Sequence, residues 1–221
     1  MRSISKGQEP EAFTAWKARA TAEWVPSYGI LQNPEKTQLH VALIAEQLGT
    51  CCYCGRTITV DDSHIEHFAP QEHYQPLALD FANLHASCMR GTLRGDPLHC
   101  GHGKGSDFDP HCAIAPTDAG SEARFSYNRY TGAISPAEPS DASAQYMIEL
   151  LKLDISFLRS RRLETLEGMF DDDFEATASV DELERLAQQA ASADPEGRRV
   201  SFGHVLARHA RALIALKQQA A

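Results

Sequence analysis

The string Cys51-Cys52-Tyr53-Cys54 contains a CxxC pair, Cys51 and Cys54. That spacing forms a knuckle in which two thiolates reach one tetrahedral zinc ion while backbone amides point at the sulfurs. A knuckle is half a site, and the other half is offered by Cys88 and Cys100, each of which follows a loop. Four thiolates would then tie together both ends of the segment between them. An alternative treats Cys52, Cys88 and Cys112 as small buried apolar residues and gives Cys51 and Cys54 a redox role. A redox CxxC calls for a thioredoxin-like βαβ setting, which is not recognisable around it. Six cysteines would suit disulfides in a secreted chain, but the crowding of Cys51, Cys52 and Cys54 and the expectation of a reducing compartment favour metal ligation.

Between the cysteine pairs lies His64-Ile65-Glu66-His67-Phe68-Ala69-Pro70, then Asn83-Leu84 shortly before Cys88, and Gly101-His102-Gly103-Lys104-Gly105 directly follows Cys100. Taken singly, a histidine on a strand or loop is more often structural or solvated than catalytic. The joint order is the specific signal. His64, His73, His85, His99 and His111 receive no role, although His64 could join a site and His85 could face a phosphate. Arg56, Arg90, Arg94 and Lys104 bring positive charge to this stretch, and the glycines from Gly101 to Gly105 would let backbone amides approach an anion.

This order resembles the HNH nuclease motif, in which an acidic residue and a histidine end a first strand, Asn-Leu leads to the second cysteine pair, and a final His or Asn sits on a metal-facing helix. Phosphodiester hydrolysis needs a water made nucleophilic and a cation on the scissile phosphate. The resemblance implies His67 as general base, since an imidazole titrates near working pH. It implies Glu66 and His102 as ligands of a catalytic Mg²⁺ or Mn²⁺ ion, and Asn83 as the residue that fixes the loop and orients His67. Two departures stand out. Eleven residues, Met89 to His99, separate Cys88 from Cys100, and Gly101 stands where many HNH proteins carry Asn, so His102 inherits that role.

A closer likeness runs over most of the chain. MRSISKGQEP, CCYCGR, HIEHFAPQEHY, ANLHASC, CGHGKGS and LLKLDISFLRSRR together resemble PtuB, the HNH component of Septu anti-phage systems, and its retron-associated relatives, which do carry Cys-Gly-His. The resemblance implies a bacterial defence nuclease that acts on nucleic acid, DNA above all, and associates with an ATPase of the PtuA type.

The elements that must position these residues are mostly helical. Residues 10–24 read as a helix packing Phe13, Trp16 and Trp24. A second helix is capped by Asn33, begins with Pro34 and Glu35, carries Val41, Ile44 and Leu48 at helical spacing and stops at Gly49. Ile148, Leu151, Ile155 and Leu158, extended by Leu163 and Leu166, predict one long amphipathic helix. Val180 to Ala191 and about Phe202 to Gln218 predict two more, separated by Asp194-Pro195-Glu196-Gly197. The expected organisation is N-terminal helices over 1–50, an HNH module over 51–112, an irregular linker over 113–143 and a helical region over 144–221, together one compact unit. The fold class is α+β, mostly α-helical, with an embedded zinc-stapled ββα-metal module.

Composition bounds the rest. With 30 acids against 21 bases the net charge is -9, which a free-standing nucleic-acid binder would not be expected to carry, so nucleic-acid contact must be local or partner-assisted. The acidic balance and the long helical C-terminal region fit a protein partner. No stretch approaches the roughly 18 apolar residues of a membrane span, and the N-terminus lacks the apolar core of a signal peptide, so the expected location is cytoplasmic. The competing reading is a non-catalytic zinc-knuckle module that binds nucleic acid or a partner. A redox or zinc-storage protein is the third; it would need neither Glu66 nor Asn83.

Overall fold

The computed structural model describes residues 1–219. It is a mixed α+β protein with two small antiparallel sheets, and no helix among the described residues is long and apolar enough to cross a membrane. One hydrophobic cluster runs from Met1 to Ala210.

The first helix, α1 (Glu11–Lys17), buries Phe13 and Trp16, one helical step of three apart. It stops well short of the expected Trp24. The chain reverses instead, with the Thr21 N–H donating to the Trp24 carbonyl at 2.9 Å, and this returns Trp24 edge-on against Trp16 with centroids 5.6 Å apart. Helix α2 (Glu35–Glu46) lies where expected, but its cap and its buried face differ. Asn33 accepts a hydrogen bond from the Thr37 hydroxyl rather than capping the helix. The buried face is Leu39, His40, Leu43 and Gln47, and Val41 is half exposed. The reason lies in the neighbouring strand: the Gln47 amide accepts from the Ala86 N–H at 2.7 Å and donates to the Ala86 carbonyl at 2.8 Å. The Ala86 carbonyl also accepts the Cys52 N–H at 3.1 Å, but the Ala86 N–H, on the strand edge, would otherwise be buried without a partner.

Strands β1 (Ser63–His67) and β2 (Leu84–Cys88) form an antiparallel pair with Glu66 opposite His85 and His64 opposite Ser87. Directly opposed residues share a face. His64, Glu66, His85 and Ser87 therefore point one way, and Ile65, His67, Leu84 and Ala86 the other. A one-turn helix, α3 (Cys100–Lys104), follows and packs on β2.

Residues 113–143 are not an irregular linker. They contain a second hairpin, β3 (Phe125–Tyr127) with β4 (Ile134–Pro136), whose turn is built by Asn128. Its carboxamide oxygen accepts the N–H groups of Tyr130 and Thr131, both at 3.0 Å, which is how a short polar side chain closes a turn.

The predicted long helix is two helices, α4 (Ala142–Leu150) and α5 (Ser156–Glu167). The break is a Schellman stop: Lys152 adopts φ 50°, and the N–H groups of Leu153 and Lys152 donate to the carbonyls of Ile148 and Glu149. It frees the Leu151 carbonyl to accept the Cys100 N–H at 2.8 Å. A short helix that the sequence pattern did not suggest, α6 (Asp172–Thr177), starts from an Asp171 cap. Then α7 (Val180–Ala191), opened by a Ser179/Glu182 capping box, and α8 (Gly203–Gln219) pack together, with Leu183, Ala187 and Ala190 buried on one and Leu206, Ala207 and Ala210 on the other.

Candidate functional site

Four cysteines from three separate segments meet at one point. Cys51 and Cys54 come from a tight turn in which the Cys51 N–H donates to the Arg56 carbonyl and the Gly55 N–H to the Cys51 carbonyl. Cys88 ends β2 and Cys100 begins α3. Their sulfurs all lie within 4.8 Å of one another and are buried. Tetrahedral zinc with bonds of about 2.3 Å has sulfur–sulfur edges of about 3.8 Å. The Cys54 and Cys88 sulfurs stand 3.8 Å apart, and none of the cysteines is disulfide-bonded. The donor set therefore fits a structural zinc ion, and Cys100 supplies the fourth thiol despite the long loop before it. The Cys88 N–H points at the Cys51 sulfur at 3.4 Å, the amide-to-thiolate contact of a knuckle. Burial opposes ionisation of Cys51, but hydrogen bonds from the thiols of Cys100, Cys52, Cys54 and Cys88 bring it well down, whereas burial pushes Cys100 well up.

The knuckle is also anchored to the far end of the chain. A Cβ on Gly55 would stand 2.4 Å from the imidazole of buried His204 on α8, so only glycine fits there. The Phe202 N–H donates to the Gly55 carbonyl at 2.8 Å, docking the start of α8 on the turn.

A second cluster surrounds Glu66. Its carboxylate is buried, accepts the Tyr53 hydroxyl at 3.1 Å, pairs with the Lys104 ammonium at 2.9 Å and faces His64 Nε2 at 3.3 Å. Burial alone would raise its pKa, but the His64 hydrogen bond and the Lys104 charge hold it below the usual carboxylate range. Conversely, burial disfavours charge on His64 while Glu66 carries its pKa upward. Gly101 explains the departure from Asn: a Cβ there would lie 2.4 Å from Glu66 Oε2 and 2.7 Å from His64 Nε2.

The Met89 carbonyl sets both neighbouring imidazoles. It stands 2.6 Å from His64 Nδ1 and 2.9 Å from His102 Nε2. A carbonyl only accepts, so both nitrogens carry protons; His64 Nε2 faces the Glu66 carboxylate, another acceptor, and carries a proton as well, which leaves His102 Nδ1 as the free lone pair of the two rings. Met89 holds this carbonyl in place from a left-handed backbone conformation, φ 71°. The rings of His64 and His102 lie 4.4 Å apart. Among the described residues, however, the four cysteines form the one group of three or more His, Cys, Asp or Glu donors close enough to share an ion. His64 and Glu66 are hydrogen-bonded to each other, and His102, held to Met89, does not complete a three-donor cage.

His67 lies on the opposite strand face and lines a cleft of about 340 Å³ together with Glu66, Tyr28, Glu72 and Lys104. Its Nε2–H donates to the Ala78 carbonyl at 3.1 Å, which leaves Nδ1 as the acceptor. Burial lowers its pKa, so the ring is neutral at pH 7 and able to take a proton. Tyr28 packs edge-on against it, centroids 4.4 Å apart. Asn83 makes no hydrogen bond to His67 among the described residues; it clamps the following loop, accepting the Ala69 N–H at 2.7 Å and donating to the carbonyls of Ala69 and Leu77.

Several expectations change. Lys104 is not a surface cation: it is buried, and its ammonium is shared among Glu66 and the carbonyls of His67 and Phe68 at 2.6 and 3.0 Å. Of the nearby glycines only Gly105 stands open; Gly101 and Gly103 press on Glu66 and the Leu151 carbonyl, so the stretch is packing rather than an anion cradle. His85 is buried with its Nδ1 unpartnered rather than facing a cleft, and His99 lies 3.4 Å from the Cys88 sulfur. His73 and His111 are exposed. Arg56 and Arg90 pair with Asp62 and Asp61, and Arg94 is exposed. Tyr28 and Tyr53 went unnoticed in the sequence. Tyr53 sits inside the CxxC, where its spacing hinted at it; nothing in the sequence linked Tyr28 to His67. Comparison of the chain with family models and with curated proteins gives no match.

Proposed function

We propose that this chain is a metal-dependent endonuclease of the HNH type, in which β1, β2 and α3 form the ββα-metal unit and His67 is the general base. The observation that carries the reading is the tethered His67 ring: a neutral imidazole, fixed through Nε2–H and with Nδ1 unprotonated, at a cleft that also contains Glu66. A base must hold a free lone pair at working pH in a fixed orientation. Glu66, with His102 or His64, would hold Mg²⁺ or Mn²⁺. The ion would neutralise the scissile phosphate and the leaving oxygen. Asn83 keeps the 69–77 loop closed over the strand end, and Lys104 fixes the carbonyl of His67 itself.

From the sequence resemblance we further propose DNA as substrate, a role as a cytoplasmic anti-phage effector and regulation by a PtuA-type ATPase. Plasmid nicking by the wild type and His67→Ala, each with its bound zinc quantified, with and without added Mn²⁺ and with any co-purifying ATPase, tests the reading. Cleavage lost in a zinc-replete His67→Ala protein supports it; zinc lost with His67 makes that residue structural.

A second reading, a non-catalytic zinc knuckle, draws on one observation. Glu66 is already satisfied by Lys104, His64 and Tyr53, as a purely structural carboxylate would be. Wild-type protein that binds DNA yet fails to nick it under every condition above would favour this second reading.

A further inference from the structure

Lined by none of the residues of either donor cluster, an open cleft of about 510 Å³ runs along α8. Arg199, just before the helix, and Arg208 and Arg211 on it line the cleft, with Ser3, Gly120 and Glu122 opposite. It shares no lining residue with the cleft of His67.

The arginines of the neighbouring C-terminal elements are taken. Arg124 pairs with Asp141, Arg129 with Glu175, Arg159 with Asp154 and Arg161 with Glu164, while buried Arg162 donates to the Gly132 carbonyl. Arg199, Arg208 and Arg211 differ: among the described residues none of their guanidinium groups makes an ion pair or hydrogen bond, and Arg199 Nε is buried with no partner. Arg208 and Arg211 stand three residues apart on one helix face, a spacing at which like charges repel. Burial lowers the pKa of Arg199; the Glu122 carboxylate opposes that shift and the Arg211 charge adds to it, so Arg199 and Arg211 feel one another across the cleft. Glu122 is the one carboxylate in the lining, and its Oε2 accepts the Ser3 N–H at 3.4 Å. Three cations against one anion make this a positive pocket on a chain of net charge -9.

A buried donor without an acceptor and a repelling arginine pair are both relieved by an anion with several oxygens. Guanidinium forks match phosphate oxygens bidentately. Among the described residues no aromatic ring lines the cleft, so none there would stack on a base. We infer that the Arg199, Arg208 and Arg211 cleft is a phosphate-binding site, recognising the phosphate of a nucleic-acid backbone or of a nucleoside polyphosphate rather than a base.

The test is calorimetric titration of the full-length, zinc-loaded protein with inorganic pyrophosphate, without added divalent cation. Binding at one site per chain with Kd below about 1 mM is expected, weakened by about tenfold or more in Arg208→Ala/Arg211→Ala. Arg161→Ala/Arg185→Ala, which removes the same charge elsewhere, should bind as the wild type does. Glu122→Gln should bind tighter, a gain that misfolding cannot produce. Absence of binding, undiminished binding in Arg208→Ala/Arg211→Ala, an equal loss in the control pair, or displacement by citrate as readily as by pyrophosphate would overturn the assignment. Competition by ADP and by an abasic oligonucleotide then separates the two sources, the stronger competitor naming the natural phosphate.

Discussion

The four thiols and the Glu66 cluster draw on the same knuckle turn and the same short helix: Tyr53 stands between Cys51 and Cys54, and α3 carries both Cys100 and Lys104. Their charges are balanced in opposite ways. Around the thiols the polar neighbours are other thiols, the Cys88 N–H at 3.4 Å, the Ser87 hydroxyl at 3.9 Å and the His99 ring at 3.4 Å, and among the described residues no Lys or Arg hydrogen-bonds to them. Glu66 has Lys104, His64 and Tyr53. The first arrangement suits a metal, because four thiolates brought together would repel and need a cation. The second is neutralised by the protein's own ammonium. Folding should therefore depend on the ion at the first cluster and tolerate its absence at the second.

The largest effect should come from breaking the thiol centre. Structural zinc binding is worth on the order of 10 kcal/mol in small domains. Cys88→Ser, or chelation of the wild type, is expected to remove the bound zinc and the cooperative unfolding transition of the 51–104 segment, read by metal analysis and hydrogen exchange. Retention of wild-type protection in zinc-free protein would show that the core alone holds the knuckle.

Lys104→Met tests the other side. The substitution leaves Glu66 buried without its cation, a change that typically costs about 3–5 kcal/mol. Zinc content should be unchanged while the thermal midpoint falls. Restoration of the midpoint by Mn²⁺ in Lys104→Met, but not in Lys104→Met/Glu66→Gln, would show that the carboxylate accepts a divalent ion. Gly101→Ala is milder, about 1–3 kcal/mol by overpacking. It pushes a methyl group onto Glu66 and His64, so the Glu66 cluster should loosen while zinc stays bound.

The thiol centre was legible in the sequence because its chemistry is written in residue type: few partners other than a metal gather four cysteines. The Glu66 cluster was half legible. The motif order picked out Glu66, His67, Asn83 and His102, but not Lys104, whose type suggested a surface cation until three acceptors enclosed it. Met89 could not be found at all, since its contribution is a carbonyl direction set by a left-handed φ. Fold errors have the same origin. The stripe through Ile148, Leu151, Ile155 and Leu158 continues across the break because Ile148 on α4, Leu151 just after it and Leu158 on α5 are all buried. The α2 face was misread because the decisive residue, Gln47, is polar and buried as a substitute strand partner for Ala86.

A smaller effect separates the clusters by pH. Burial lowers His85, opposite Glu66 on the ladder, to about 3, and burial lowers His40, whose Nε2 contacts the Ser63 hydroxyl, to about 4. Both titrate near 6.5 when unfolded. Below that value the unfolded chain binds more protons than the folded one, so stability is complete above about pH 6.5 and falls as the pH drops toward the folded values. The slope is about 1.4 kcal/mol per pH unit for each histidine. His85→Leu should remove one share of that loss between pH 6.5 and 5.5, measured by urea unfolding with zinc content followed alongside. An unchanged slope would show that His85 takes up a proton in the folded protein.

The smallest effect probes the support of the thiol centre from outside it. Lys152 is exposed and left-handed, φ 50°, immediately after the Leu151 carbonyl that receives the Cys100 N–H. A β-carbon in that conformation is strained, while glycine adopts it freely at a modest entropic cost. Lys152→Gly should raise stability by about 0.5–1 kcal/mol, a few degrees or less in midpoint. Because the helix stop is then less strained, the Cys100 amide should exchange more slowly and zinc should leave more slowly on chelation. A gain in midpoint without any change in zinc release would mean that the Leu151 carbonyl steadies the helix junction but not the metal cage.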